Sequence, residues 1–299
     1  MSDLENTIEI QINLIKELKG IESVILMQRG GIPIHSSGKW FSINEINVLS
    51  SVSSLVFNTG IKLHPQELKY ILIESRYAKI LIAPLNSPIE PFLIKNVNFH
   101  GINDHKHEFF ILIVAQPDIN LGGIFLQTSE CLRKIKIHLF TSGESYREES
   151  NPKHQSLDEY SNYISSIEIP EMVSAEFNKI LETISRTIPD LNYALVSING
   201  FLASHLLKGI SMTNEELTKT SQWSYTIFQA ANRCAELLGK KEANSILLDC
   251  QSTFQFVDGL ENAVFTTKIG KHRQKFGLIR LILPQFKKKI GDLINKLKE

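Results

Sequence analysis

Cysteine is scarce and scattered. Cys131, Cys234 and Cys250 are the three thiols in 299 residues, they lie far apart, and no CxxC pair occurs. Neither a disulfide framework nor a cysteine zinc site is indicated, and a reducing, cytoplasmic setting fits best. An excess of one charge is missing too. Lys+Arg and Asp+Glu both total 32, so the formal net charge is zero. Dedicated nucleic-acid binders carry a basic bias, so no nucleic-acid partner is expected. No apolar run approaches the roughly 20 residues that a bilayer-spanning helix needs. The acidic start, MSDLENTIE, is not a signal peptide. A membrane is therefore expected to be met only indirectly. The motifs GxxxxGK(S/T), helix-opening GxGxxG and HExxH are all absent. No catalytic residue, cofactor-binding residue, metal ligand or cofactor is assigned, and the chain is not expected to be an enzyme.

What is present is a pattern that occurs twice. Ser42-Ile-Asn-Glu45 is a capping box: the serine hydroxyl accepts from the third helical amide and the glutamate reaches back to the serine amide. The helix behind it places Ile43, Ile46, Leu49, Val52 and Val56 on one face at 3.6 spacing. Ser50, Ser51, Ser53 and Ser54 line a second face. Serine is a middling helix former, so this density has two readings, a solvated polar face or a small-residue face that lets another helix come close. His64-Pro65 stops the helix, and the strand LKYILIES (68–75) follows. Thr213-Asn-Glu-Glu216 is a second capping box. Its helix runs to Gly239, the expected stop, and the strand ANSILLDCQ (243–251) follows.

In chain order, a first helix carries Leu4, Ile8, Ile12, Ile15 and Leu18 on one face. ESVILMQ (22–28) and IPIHSS (32–37) form a hairpin about Gly30-Gly31, whose glycines supply positive φ. Pro33 cannot donate to a ladder, which places the second strand at an edge. The helix at 42–63 comes next, then strands at 68–75, 78–85 and 109–116, and a helix at 124–140. Residues 86–108 form an insertion long enough to suggest a functional loop. The polar stretch at 143–168 reads as a linker. The second half repeats the order: a helix at 170–188 with Phe177, Ile180, Leu181, Ile184 and Ile188 inward, a hairpin about Asn199-Gly200, the capped helix, three strands, and a last helix from Phe276 containing Pro284. Each half thus reads α-β-β-α-β-β-β-α. The expected fold class is α/β (α+β), with a five-stranded antiparallel sheet per half and helices packed on its faces.

Chemistry-bearing residues are few, and each has a plainer alternative. His100, Asp104, His105 and His107 in the insertion have spacing that suits a metal, yet scattered loop histidines have the same look. Lys287, Lys288, Lys289, Lys296 and Lys298 make either a solvated helix face or a contact for anionic lipid or an acidic partner. Arg29, Arg76, Arg186 and Arg280 are the candidates for an arginine that reaches a partner's nucleotide. The three cysteines read as core thiols.

Taken together, these residues resemble a known family. The helix before Glu22-Ser-Val-Ile-Leu-Met-Gln-Arg-Gly-Gly-Ile-Pro-Ile, the second capped helix, the meander, and Asn120-Leu-Gly-Gly-Ile-Phe-Leu before the last helix are similar to a Roadblock (dynein light-chain, MglB-like) domain. Gly31 and Gly200 match the family's hairpin glycine. Asn120-Leu121-Gly122 matches its Asn-Leu-Gly signature, and Lys275-Phe276-Gly277-Leu-Ile-Arg-Leu loses the asparagine but keeps the glycine and the apolar flank. The resemblance implies one domain at 1–142 carrying the insertion, the linker at 143–168, and a second domain at 169–299. It implies pairing through the second helix and third strand, here by Ser50, Ser51, Ser54, Tyr70, Leu72, Ser221, Ser224, Ala231, Ile246 and Leu248. The expectation is a pseudo-dimer within the chain, with pairing between two copies, a homodimer, as the alternative. The implied function is a non-enzymatic scaffold or regulator that binds a small Ras-like GTPase and acts on its GTP hydrolysis or nucleotide exchange. The rivals are a small-molecule-sensing domain protein and a cargo or cytoskeletal adaptor.

Overall fold

Both capping boxes form as the spacing predicts. The Glu45 carboxylate accepts from the Ser42 amide at 2.7 Å and its hydroxyl at 2.8 Å, while the Ser42 oxygen accepts from the Glu45 amide at 3.3 Å. Thr213 and Glu216 repeat this at 2.7, 3.0 and 3.2 Å. The bonds from Ser42 and Thr213 hold both carboxylates below their ordinary pKa.

The structure is a computed structural model that describes residues 3–38, 42–65, 67–85, 109–141, 170–271 and 276–297. The elements are α1 (Asp3–Lys16), β1 (Ile21–Gln28), β2 (Pro33–Gly38), α2 (Ile43–Leu63), β3 (Leu68–Ser75), β4 (Lys79–Pro84), β5 (Phe109–Ala115) and α3 (Leu121–Thr141). They continue as α4 (Glu171–Thr187), β6 (Leu191–Ile198), β7 (Phe201–Leu207), α5 (Asn214–Leu237), β8 (Ala243–Cys250), β9 (Thr253–Leu260), β10 (Ala263–Gly270) and α6 (Phe276–Lys296). The α-β-β-α-β-β-β-α order therefore occurs twice. The chain divides into two compact units. The first contains the described residues of Met1–Asn58, Lys69–Gln155 and Arg233–Glu242; the second contains those of Thr59–Leu68, Ser156–Asn232 and Ala243–Glu299.

In the first unit the strand order is β2-β1-β5-β4-β3, antiparallel throughout. Pro33 lies on the edge strand, opposite Met27 where the register shifts, so its missing amide costs the ladder nothing. Strand side chains alternate between faces, and helices cover both. Ile8, Ile12 and Ile15 of α1 join Ile124 and Ile135 of α3 over Val24, Leu26, Leu81, Ile111 and Ile113. On the opposite face, Phe57 of α2 stacks on Phe110 at a centroid separation of 4.5 Å.

The second unit has the order β8-β9-β10-β6-β7, again antiparallel. Leu217 of α5 packs on Tyr193 and Leu195. Phe276 of α6 lies on the other face, against Phe254 at 5.0 Å and Phe256 at 6.1 Å. Asn199 (φ 52°) and Gly200 (φ 85°) make the β6–β7 turn, the left-handed pair that a two-residue hairpin requires.

Several expectations are corrected. Ile43, which the spacing puts on the apolar stripe of α2, is 78% exposed at the first position of the helix. Of Gly30-Gly31, Gly31 takes positive φ, at 83°. The α3 helix begins at Leu121 instead of residue 124, because Asn120 already caps it: its Oδ1 accepts from the Gly122 amide at 3.1 Å. Trp40, Phe41, the 86–108 insertion with its His/Asp cluster, and the 143–168 linker lie outside the described residues. Among the described residues no helix is long and apolar enough to cross a membrane.

Candidate partner-docking site

The first unit presents a built surface where the β1–β2 turn meets α2. Gly31 makes the approach possible. A Cβ placed on it would stand 3.0 Å from the Ser51 Cα and 3.3 Å from the Ser50 carbonyl oxygen. The small residues of α2 thus serve a close contact with the hairpin of their own unit. Two α2 side chains then clamp the turn. The Ser54 hydroxyl donates to the Arg29 carbonyl, and Asn58 Nδ2 donates to it at 3.3 Å and to Ser54 Oγ at 3.1 Å. Asn58 Oδ1 in turn accepts from Arg29 Nε at 2.6 Å. One edge of an exposed guanidinium is fixed, and its outer NH2 groups have no partner among the described residues. Around it Ile32 is 49% and Val48 48% exposed. Gly31→Ala is expected to destabilise the unit by about 1–3 kcal/mol, since it combines left-handed strain with overpacking against backbone. Urea unfolding followed by circular dichroism checks this.

The second unit fastens its turn differently. Ser221 Oγ donates to the Gly200 carbonyl at 3.1 Å and lies 2.6 Å from Ser197 Oγ. Aligned on the capping boxes, Asn214 and Lys219 stand where the first unit has Ile43 and Val48, and Lys219 is paired with Glu215 at 2.6 Å. The docking surface of the first unit is therefore not repeated.

Most of the residues expected to pair the domains are buried: Ser50, Ser54, Leu72, Ser221, Ser224, Ala231, Ile246 and Leu248. Ser51 is exposed, and its hydroxyl donates to the Asn47 carbonyl at 2.9 Å. Ser50 and Ser224 hydroxyls have no partner among the described residues. In the first unit the buried Ser53 sets its hydroxyl 3.6 Å from the Cys234 thiol. The structure does not bring Tyr70 and Leu72 to the α2 serines. Tyr70 rests on Phe125 of α3 at 4.3 Å, and Leu72 pairs with Leu81 of the α1–α3 core. Ile71 and Ile73 face α2 instead. In the second unit Leu248 is opposite Gln255 and shares the α5 face with Tyr193.

Among the arginines, Arg76 lies over Tyr77 at 5.6 Å, Arg186 pairs with Glu182 at 3.5 Å, and Arg280 lies over Phe276 at 5.2 Å. Arg29 is held by a side chain on a neighbouring element, Asn58 of α2. Lys287 donates to the Asn244 carbonyl at 2.8 Å, while Lys288 and Lys289 are exposed. All three thiols are free and buried, and burial raises Cys234 and Cys250 to about 12. Among the described residues no His/Cys/Asp/Glu group could hold a metal. An open hollow of about 470 Å³ lies beside Asn120, lined by Lys19, Gln116, Asp118 and Ile119.

Two features escaped the sequence reading. Asn58 is visible only as an i+4 neighbour of Ser54. His64, a helix stop by its place before Pro65, is also buried in the second unit and donates from Nε2 to Gln255 Oε1 at 2.7 Å; Tyr193 OH donates to the same oxygen at 2.8 Å. Burial, the positive charge of Lys268 and the Gln255 bond together leave His64 at about 4.

The class that this architecture defines is an α/β fold with helices on both faces of an antiparallel β2-β1-β5-β4-β3 sheet. Solved structures similar to this chain include MglB of Thermus thermophilus, a gliding protein, at 16% identity over 44% of this chain and 97% of that one, with a TM-score of 0.39. Myxococcus xanthus MglB matches at 14% identity over 44% and 96%, TM-score 0.39. A Roadblock/LC7 domain from Streptomyces avermitilis matches at 10% over 47% and 100%, TM-score 0.35. No protein-family model and no curated protein matches the sequence.

Proposed function

We propose that the chain is a non-enzymatic platform that binds a small Ras-like GTPase through the β1–β2 turn and α2 of its first unit. One observation carries the reading: an exposed arginine fixed by Asn58 amid exposed Ile32 and Val48. Interfaces concentrate their energy in such anchors, an oriented arginine beside apolar contacts. The Roadblock-like element order and the residue-level resemblance supply the partner class. Surface complementarity of this kind acts on a GTPase by favouring one state of its switch loops.

The test is a binding titration against Ras-like GTPases loaded with GTP or GDP. Binding is expected to prefer one nucleotide state. Arg29→Ala and Val48→Glu are each expected to weaken it by about tenfold or more, with circular dichroism unchanged. Absence of binding in both states would count decisively against the proposal.

A further inference from the structure

A second surface of the first unit gathers positive charge about an exposed ring. The β3–β4 turn is tied by Ser75, whose hydroxyl accepts from the Tyr77 amide at 3.2 Å and the Ala78 amide at 3.0 Å. That rigid turn projects Tyr77, 40% exposed. The Arg76 guanidinium lies 5.6 Å from the ring centroid and the Lys241 ammonium 5.1 Å. Lys241 follows the end of α5, where Gly239 donates to Glu236 and Lys240 to Ala235, and Lys240 is ion-paired with Glu22. Lys241 itself takes φ 58°, a conformation that costs a side-chain residue about 1 kcal/mol and concentrates where geometry serves a purpose. Neither Arg76 nor Lys241 is ion-paired among the described residues, and the Tyr77 hydroxyl has no partner among them.

We propose that Arg76, Tyr77 and Lys241 form a docking point for an acidic segment of a partner protein. Two full charges and a phenol converge, with no ion pair to either cation among the described residues, so a partner's Asp or Glu completes the set by charge-assisted hydrogen bonds. The ring adds apolar contact, and its two cations are already desolvated on the ring side. The point shares no residue with the Arg29 surface, so it stands or falls independently of the GTPase reading.

The test uses the 15N-labelled full chain titrated with a hexaglutamate peptide, with hexalysine as control. Hexaglutamate is expected to shift the amides of Arg76, Tyr77 and Lys241 first and to release as salt rises past about 0.15 M. Arg76→Glu/Lys241→Glu should reduce its affinity by about tenfold or more; the milder Arg76→Gln/Lys241→Gln and Tyr77→Phe should give smaller losses, and Lys62→Glu none. Shifts spread over all exposed lysines, or an affinity that survives the charge reversal, would overturn the proposal.

Discussion

Phe57→Ala is expected to lower the unfolding free energy by about 3–5 kcal/mol, the range for truncating a buried phenylalanine. Phe57 is fully buried, and its ring stacks on Phe110, the residue by which β5 meets α2. Truncation removes that stacking and leaves a hole between helix and sheet that close packing cannot fill without moving the backbone. Phe57→Leu, which keeps most of the volume, should cost less than half as much. Urea midpoints of the two variants against the parent protein check this. Equal losses for Ala and Leu would mean that the ring geometry, not the filled volume, sets the stability there.

The second large effect is a dependence on pH carried by His64. The folded residue takes up a proton only near pH 4, because burial and the Lys268 charge oppose the imidazolium, whereas the unfolded residue does so near 6.5. Across that window the unfolded chain holds more protons, so stability falls as pH falls. The contribution is fully present above about pH 6.5 and is lost on approach to pH 4, for a total of about 3 kcal/mol. His64→Gln keeps a donor for Gln255 and cannot titrate. The parent unfolding free energy minus that of the variant should therefore fall steadily as pH drops from 6.5 to 4 and stay level above 6.5. A difference that is flat across the whole range would remove His64 as the cause.

Much of the architecture was legible in the residues because it is locally encoded. Ser42 with Glu45 and Thr213 with Glu216 announce two helix starts, since a capping box is satisfied within four residues. Asn199-Gly200 announces a hairpin through the backbone angles that asparagine and glycine tolerate. The isoleucines of α1 mark a face by spacing alone. The docking surface was less legible. Arg29 was one of four equal candidates until Asn58, 29 residues away, was seen to hold it. Which side chains of β3 meet α2 was not legible, because β3 is apolar on both faces and a continuous apolar run carries no phase.

By itself the sequence determined the element order, the capped helix starts and the left-handed turns, all of which depend on neighbours within a few positions. Tertiary structure alone decided which face of β3 meets α2, that His64 lies against Gln255 191 residues further along, and that Lys241 stands over Tyr77. Those outcomes depend on contacts between distant residues, whose geometry is set by packing rather than by local propensity.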